Sequence, residues 1–104
     1  YSKDNYYSVA NRYQDKPVVI TEAGWASDTN GKGIPVEVAD EELQSIYCAE
    51  LMDWTRKERI LTFLFEAFDE PWKGSSDPME PEKHWGLYSV ERKPKLVVKA
   101  LNLH

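Results

Sequence analysis

The fold of this chain is decided by residues 16–25, which read KPVVITEAGW. A short β-branched run from Val18 to Thr21 ends in one carboxylate, Glu22, and a Gly-Trp pair follows at once. Because the run does not alternate apolar and polar residues, we predict a parallel strand that is buried on both faces. In α/β barrels, strands of this kind deliver an acid to the barrel mouth, where the chemistry takes place.

A second unit of the same design lies downstream, in residues 60–73, which read ILTFLFEAFDEPWK. The run from Ile60 to Phe65 predicts a second strand, and three acids lie at or just past its end: Glu66, Asp69 and Glu70. Trp72 then follows. Two strand-then-acid-then-Trp units in one chain indicate a carbohydrate site, since half-exposed Trp rings suit sugar-stacking clefts.

Helical patterns flank the two strands. Residues 6–13 are typical of the end of a helix. The helix cannot continue through the Lys-Pro pair at 16–17, because the residue before a proline is disfavoured in the α region. A longer helix is predicted over about 36–57, with one apolar stripe made of Leu43, Ile46, Tyr47, Leu51 and Trp54. A last short helix is predicted over about 95–103, after a polar, Pro-rich excursion at 69–83 that we expect to be functional or ordered by a ligand cleft.

The predicted order past the first helix is βαβα, which implies neighbouring parallel strands joined by a right-handed crossover. Two strands cannot close a (β/α)₈ barrel, which needs about 200 residues or more. The fold class is therefore α/β, and the 104 residues correspond to roughly a quarter of such a barrel, incomplete as given.

Composition excludes several other classes of function. The formal charge of −5, without a basic cluster, disfavours a nucleic-acid partner, and no apolar run is long enough to span a membrane. The one cysteine, Cys48, cannot form an internal disulfide and is expected to pack as a small apolar residue. His84 and His104 lack nearby acids that would support a metal site, so no metal or other cofactor is predicted.

A glycosidase of the usual kind needs two carboxyl groups, about 5–5.5 Å apart for retention or roughly 6.5–9.5 Å apart for inversion. Glu22 is placed to be one of them, and the acids at 66, 69 and 70 are the candidates for the second. Adjacent parallel strands lie about 4.8 Å apart, so carboxylates at their ends could meet across one sugar ring. The alternative is that these acids are solvated or pair with Lys73, Lys83 or Arg92.

Three segments resemble motifs of glycoside hydrolase family seventeen, the β-1,3-glucanases and related glucanosyltransferases. Residues 19–27 (VITEAGWAS) resemble its strand-seven signature, although Ala26 stands where plant members carry proline. Residues 65–74 (FEAFDEPWKG) resemble its strand-eight segment, and residues 82–88 (EKHWGLY) its closing motif. The motifs occur in the family's order and spacing over about residues 16–95, so the chain is identified as a member.

The resemblance implies that residues 1–104 are the C-terminal part of a (β/α)₈ barrel domain, about strands seven and eight, from an enzyme with a retaining mechanism. Glu22 matches the nucleophile of the family. The implied substrate-binding residues are polar groups lining the cleft and aromatic faces for glucose units: Glu66, Asp69, Glu70, Lys73 and Glu82, with Trp25, Phe68, Trp72 and Trp85.

The resemblance also implies what this chain is expected to lack. The acid/base glutamate of the family lies at the end of strand four, upstream of the first residue here, so negligible glycosidase activity is expected from the chain alone. The implied partner is a β-glucan oligo- or polysaccharide, and a secreted or cell-envelope location follows from the resemblance only.

Two other readings remain open. The chain is alternatively a non-catalytic β-glucan-binding module, or a structural fragment that pairs with the missing barrel strands or with a second copy of itself. Exposed parallel-strand edges would favour such association.

Overall fold

The computed structural model describes residues 2–102. Its main elements run in the order α1 (Ser2–Arg12), β1 (Ile20–Ala23), α2 (Glu41–Lys57), β2 (Thr62–Leu64) and α3 (Leu96–Ala100). The two strands pair in parallel, which confirms the predicted βαβα order. Residues 103 and 104, which include the end of the predicted last helix and His104, lie outside the described residues.

The central helix begins five residues later than predicted. Val36–Val38 forms a 3₁₀ turn instead, and Ala39 is extended. Asp40 then caps α2, because its side chain accepts a hydrogen bond of 2.7 Å from the backbone N–H of Leu43. Acidic residues in the first turn and basic residues in the last turn complement the helix dipole, as the sequence indicated.

The buried face of α2 differs from the predicted stripe. Ile46 is 46% exposed, whereas Gln44 is only 1% exposed and lies on the buried face with Cys48 and Leu51. The side-chain amide of Gln44 donates to the backbone carbonyls of two distant segments. A hydrogen-bonded polar residue therefore occupies a core position that hydrophobicity alone would assign to an apolar neighbour.

Two apolar clusters hold α2 in place. Cys48 and Leu87 meet three residues of the C-terminal segment in one cluster: Val97, Val98 and Leu101. Leu51, Trp54 and Ile60 form the other, which covers one face of the strands. Cys48 is therefore a packed thiol, as predicted, and burial raises its pKa to about 11. No helix within residues 2–102 is long and apolar enough to cross a membrane.

The prediction that β1 is buried on both faces is wrong in this structure. Val19, Thr21 and Glu22 are exposed, and so is Phe63 of β2. Among the described residues β1 pairs only with β2, and α2 covers only one face of the pair. The opposite face of the sheet is left open.

The register of the two strands contains one extra residue on β1. Ile20 lies opposite Thr62 and Ala23 opposite Leu64, so three steps along β1 match two along β2. This is the spacing of a β-bulge, a device that redirects side chains near functional sites. Ile20 and Ala23 both pack toward α2, while Glu22 between them is exposed.

Candidate active site

The site is framed by three backbone segments that meet beyond the carboxyl ends of β1 and β2. The N–H of Phe65 donates to the carbonyl of Ala23 at 2.8 Å, and the N–H of Glu66 donates to the carbonyl of Trp85 at 3.1 Å. The N–H of Ser27 donates to the carbonyl of His84 at 2.8 Å. The three sequence motifs are therefore brought together in space.

Gly86 makes the third segment fit against the second. A β-carbon at this position would stand 2.2 Å from the backbone nitrogen of Asp69 and 2.4 Å from the carbonyl carbon of Phe68. Only a residue without a side chain permits backbones to approach so closely. The glycine of the closing motif thus has a steric origin.

Glu22 faces an open cleft whose lining includes Gly24, Trp25 and Trp85. Among the described residues, none forms an ion pair or a side-chain hydrogen bond with its carboxylate. Trp25 is held firmly, since its indole N–H donates to the carbonyl of Val38 at 2.6 Å and its ring lies 5.0 Å from that of Tyr47. The cleft therefore combines an exposed carboxylate with fixed aromatic surfaces.

A second group of charges forms where β2 ends. The Lys73 ammonium lies 3.4 Å from one carboxylate oxygen of Glu66, also contacts the carboxylate of Glu70, and lies 4.5 Å from the centre of the Phe65 ring. The peptide bond between Phe65 and Glu66 is cis. The alternative that the acids after β2 pair with a lysine is thus observed for Glu66 and Glu70, which both contact Lys73.

The two acids of this cluster have opposite pKa shifts. Burial, followed by the hydrogen bond and negative charge of Glu70, raises the pKa of Glu66 to about 7. Hydrogen bonds from Glu66 and Lys73 lower the pKa of Glu70 below its ordinary value, and the two carboxylates raise the pKa of Lys73. The protonated form of Glu66 is therefore favoured at pH values below about 7, while the ionised form of Glu70 is favoured.

Asp69 has a different environment from the one expected. It is 7% exposed, and one carboxylate oxygen accepts from the Lys95 ammonium at 2.7 Å and from the N–H of Gly86 at 2.9 Å. Lys95 also donates to the hydroxyl of Ser27 at 2.7 Å. This burial argues against the expected sugar contact, because the carboxylate is occupied in joining the three backbone segments.

Phe68, Trp72 and Glu82 are not among the residues that line the cleft of Glu22. Arg92 stacks on Phe68 at 3.9 Å, so one face of that ring is covered by a guanidinium group. Trp72 is 74% exposed on the excursion after β2, and Glu82 is also exposed. Within residues 2–102, no three His, Cys, Asp or Glu side chains are grouped so that they could hold a metal ion.

Three buried polar residues escaped the sequence analysis as parts of the site. Gln44 donates to the carbonyls of Trp25 and Gly86, both at 3.0 Å, and Lys95 pairs with Asp69. Lys83 was considered only as a partner for an acid, yet its ammonium donates to backbone carbonyls. In the sequence, the only indication of these three residues was that the groups they bind belong to the motifs or lie next to them.

Comparison with known proteins decides the family. The model of the family described as "Glycosyl hydrolases family 17" matches residues 7–100. The chain belongs to glycosyl hydrolases family 17. A glucan 1,3-beta-glucosidase from Arthroderma benhamiae is 33% identical to it over 107 residues, which cover 88% of this chain and 33% of that protein.

Two solved structures, one of them described as glycoside hydrolase family 17, share the fold. An endo-laminarinase from Formosa Hel1_33_131 superposes with a TM-score of 0.88 at 35% identity, covering 98% of this chain and 28% of its own. A β-1,3-glucanosyltransferase from Rhizomucor miehei superposes with a TM-score of 0.75 at 29% identity, covering 89% of this chain and 32% of its own. A further structure is of an active-site mutant of the Rhizomucor miehei enzyme in complex with laminaritriose.

The family 17 chain described here spans about a third of the length of these relatives. The neighbours are TIM-barrel enzymes, and the parallel β1–α2–β2 unit is the repeating unit of such a barrel. This agrees with the expectation of a partial barrel.

Proposed function

We propose that this chain is the part of a retaining β-1,3-glucan-active enzyme that carries strands seven and eight, with Glu22 as the nucleophile. One observation carries the proposal: in a family 17 chain, an exposed carboxylate at the carboxyl end of a parallel strand lines the same cleft as Trp25 and Trp85. Active sites of barrel enzymes lie at that end of the strands.

In the proposed reaction the Glu22 carboxylate attacks the anomeric carbon of a glucose unit. A bond forms between carboxylate oxygen and carbon as the glycosidic bond breaks, and the departing oxygen takes the bonding electrons and needs a proton. In this proposal the donor of that proton is a glutamate outside the chain. Water or a second sugar hydroxyl then displaces Glu22 from the glycosyl-enzyme.

The proposed substrate is a β-1,3-glucan chain, supported by the laminaritriose complex of the Rhizomucor enzyme. Trp25, Trp85 and the exposed Trp72 would offer apolar faces to glucose rings. The pKa of Glu66 is raised and that of Glu70 is lowered, so below about pH 7 the pair can both donate to and accept from sugar hydroxyls. The other proposed contacts are Lys73, Glu82 and the exposed part of the Phe68 ring.

The proposed location is the cell surface or the extracellular space. A family relative from Candida albicans, 34% identical over 76 residues, is named a cell surface mannoprotein.

The test of the nucleophile uses a reagent that needs no acid catalyst. A 2,4-dinitrophenyl 2-deoxy-2-fluoro-β-laminaribioside has a leaving group that departs without a proton, and its fluorine slows hydrolysis of the glycosyl-enzyme. Mass spectrometry of the intact chain and of its peptides should show one fluoro-laminaribiosyl adduct on Glu22. The adduct should be absent in Glu22→Gln and retained in Glu50→Gln, a change at another carboxylate lining the same cleft.

The missing acid gives a second test on natural substrate. The pure 104-residue chain is expected to release no measurable reducing sugar from laminarin. Hydrolysis that is abolished by Glu22→Gln would show that the chain supplies its own proton donor, and a lack of Glu22 adduct at saturating reagent would overturn the assignment of the nucleophile.

The fluoro-laminaribioside and laminarin also distinguish the enzyme from the alternative of a binding module. Laminarin binding that survives Glu22→Ala, in a chain that forms no adduct, would favour a binding module.

The structural-fragment alternative draws on the open face of the sheet, where Val19, Leu61 and Phe63 are exposed. Such a surface favours pairing with other barrel strands or with a second copy. A concentration-dependent dimer on size-exclusion chromatography would support that reading, and a monomer across the range would oppose it.

A further inference from the structure

A buried ammonium group lies inside the excursion between residues 69 and 83. Lys83 is 6% exposed, and its ammonium donates to the backbone carbonyls of Lys73 and of Ser75, the latter at 2.5 Å. Its own carbonyl accepts from the N–H of Glu70 at 3.3 Å, which ties the end of the excursion to its beginning.

The partners of Lys83 are unusual for a buried charge. Among the described residues no carboxylate lies within ion-pair distance of its ammonium, and both oxygens that accept from it belong to the backbone. Asp77 lies beyond that distance, although hydrogen bonds and, to a lesser extent, the charge of Lys83 lower the pKa of its carboxyl group. Buried charges are costly unless they are paired or solvated by dipoles, and backbone carbonyls are the groups that replace the hydration shell of a monovalent cation. The ammonium of Lys83 occupies the position of such a cation.

The backbone is shaped to fit this ammonium. Gly74, between the two carbonyl-bearing residues, has φ of +70°, a conformation that glycine adopts without steric cost. A β-carbon there would stand 2.4 Å from Cγ of Glu80. The left-handed turn at Gly74 brings the carbonyls before and after it onto one ammonium group.

Lys73 connects this arrangement to the acid cluster. Its backbone carbonyl accepts from Lys83, while its side-chain ammonium bridges Glu66 and Glu70. We propose that Lys83 is a positioning residue, a built-in cation that fixes the backbone of residues 73–75 and so holds the Lys73 ammonium between the two carboxylates. Lys83 touches no substrate in this role, and the proposal stands whether or not the chain acts on glucan.

The experiment removes the built-in cation and then supplies a free one. Lys83→Ala leaves the two carbonyls facing an empty space that methylammonium can enter. Tetramethylammonium is the control, because it has no N–H donor and cannot replace the lost hydrogen bonds. Backbone hydrogen exchange over residues 70–80 should accelerate at least about tenfold, as expected when hydrogen bonds to a charged group are lost. Methylammonium should restore the slow exchange in this variant and leave the wild-type chain unchanged.

A spectroscopic readout tests the positioning itself. The carboxyl carbon signal of Glu66 in ¹³C NMR should shift in Lys83→Met, which keeps the apolar stem, and should return toward its original position in Lys83→Arg. Lys93→Met, a change at an exposed lysine, is the matched control and should alter neither readout.

Unchanged exchange over residues 70–80 in both Lys83→Ala and Lys83→Met would overturn the proposal. Acceleration spread evenly over the chain, without a response to methylammonium, would also overturn it by showing a purely global loss of stability. If Lys83→Ala does not fold, the proposal is decided by comparing the Glu66 carboxyl signal in Lys83→Met with that in Lys83→Arg. An unshifted signal in Lys83→Met would then overturn it. Failure of Glu22 labelling would leave these outcomes unaffected.

Discussion

The carbonyl oxygen of Phe65 lies 1.9 Å from the point where a β-carbon on Gly24 would stand. The same two strand ends are joined by a hydrogen bond of 2.8 Å from the Phe65 N–H to the Ala23 carbonyl. The backbones therefore touch two residues after Glu22, and the glycine of the first motif is what permits this approach. The position of Glu22 relative to the next strand depends on it.

Gly24→Ala is accordingly expected to destabilise the chain strongly. The new methyl group would overlap a backbone atom, which cannot rotate away as a side chain does, so we expect a loss of about 3 kcal/mol or more in the free energy of unfolding. Urea denaturation followed by Trp fluorescence measures it. Gly33→Ala is the control, because Gly33 has open space around it and a positive φ, and should cost only about 1–2 kcal/mol. Equal losses would contradict the steric argument.

The ion pair between Asp69 and Lys95 should be sensitive to removal of either partner. Both side chains are buried, so Lys95→Met leaves the Asp69 carboxylate without its lysine partner, with only the Gly86 N–H and the His84 ring, 3.8 Å away, beside it. This change is expected to cost about 3–5 kcal/mol in the free energy of unfolding. The double variant Asp69→Asn/Lys95→Met should lose less than the sum of the single changes. The exposed pair Asp53–Lys57 provides the control, and Lys57→Met should cost less than about 1 kcal/mol. Additive losses at 69 and 95 would contradict a direct interaction.

The raised pKa of Glu66 predicts a pH dependence of stability. Its pKa of about 7 in the folded chain exceeds the ordinary 4.5, so the protonated acid stabilises the fold fully below pH 4.5, and this contribution is lost as the pH rises through about 7. The lowered pKa of Glu70 acts in the opposite sense and only at acid pH, outside that range. Glu66→Gln resembles the protonated acid and should remove the part of the decline that Glu66 causes.

Denaturation curves at pH 5 and pH 7.5 check this expectation. The decrease in unfolding free energy between the two values should be smaller in Glu66→Gln than in the wild-type chain. Glu50→Gln, at an exposed acid, should keep the wild-type decrease. A decrease of the same size in Glu66→Gln would mean that Glu66 does not hold its proton in this range.

The predictable parts of the structure are those that depend on local pattern. Apolar runs located both strands, and the polar and Pro-rich segments located the loops that follow them. The bulge in β1 was not predictable, because it depends on how β1 registers against residues 62–64. The partner of Asp69 was missed for a related reason: Lys95 is 26 residues away, and nothing in the sequence ranks it above Lys73, Lys83 or Arg92. Burial of Gln44 likewise depends on two carbonyls supplied by distant segments.

Gln44 therefore gives a prediction that no hydrophobic pattern would make. Gln44→Met keeps the volume and removes both hydrogen bonds, which leaves the buried carbonyl of Gly86 and the partly buried carbonyl of Trp25 without these donors. We expect the free energy of unfolding to fall by about 2 kcal/mol or more, since unsatisfied buried acceptors cost about 1–3 kcal/mol each. Gln14→Met, at an exposed glutamine, should change it by less than about 0.5 kcal/mol. A Gln44→Met chain as stable as the wild type would show that the core accepts an apolar residue here, and that the two carbonyls find other donors.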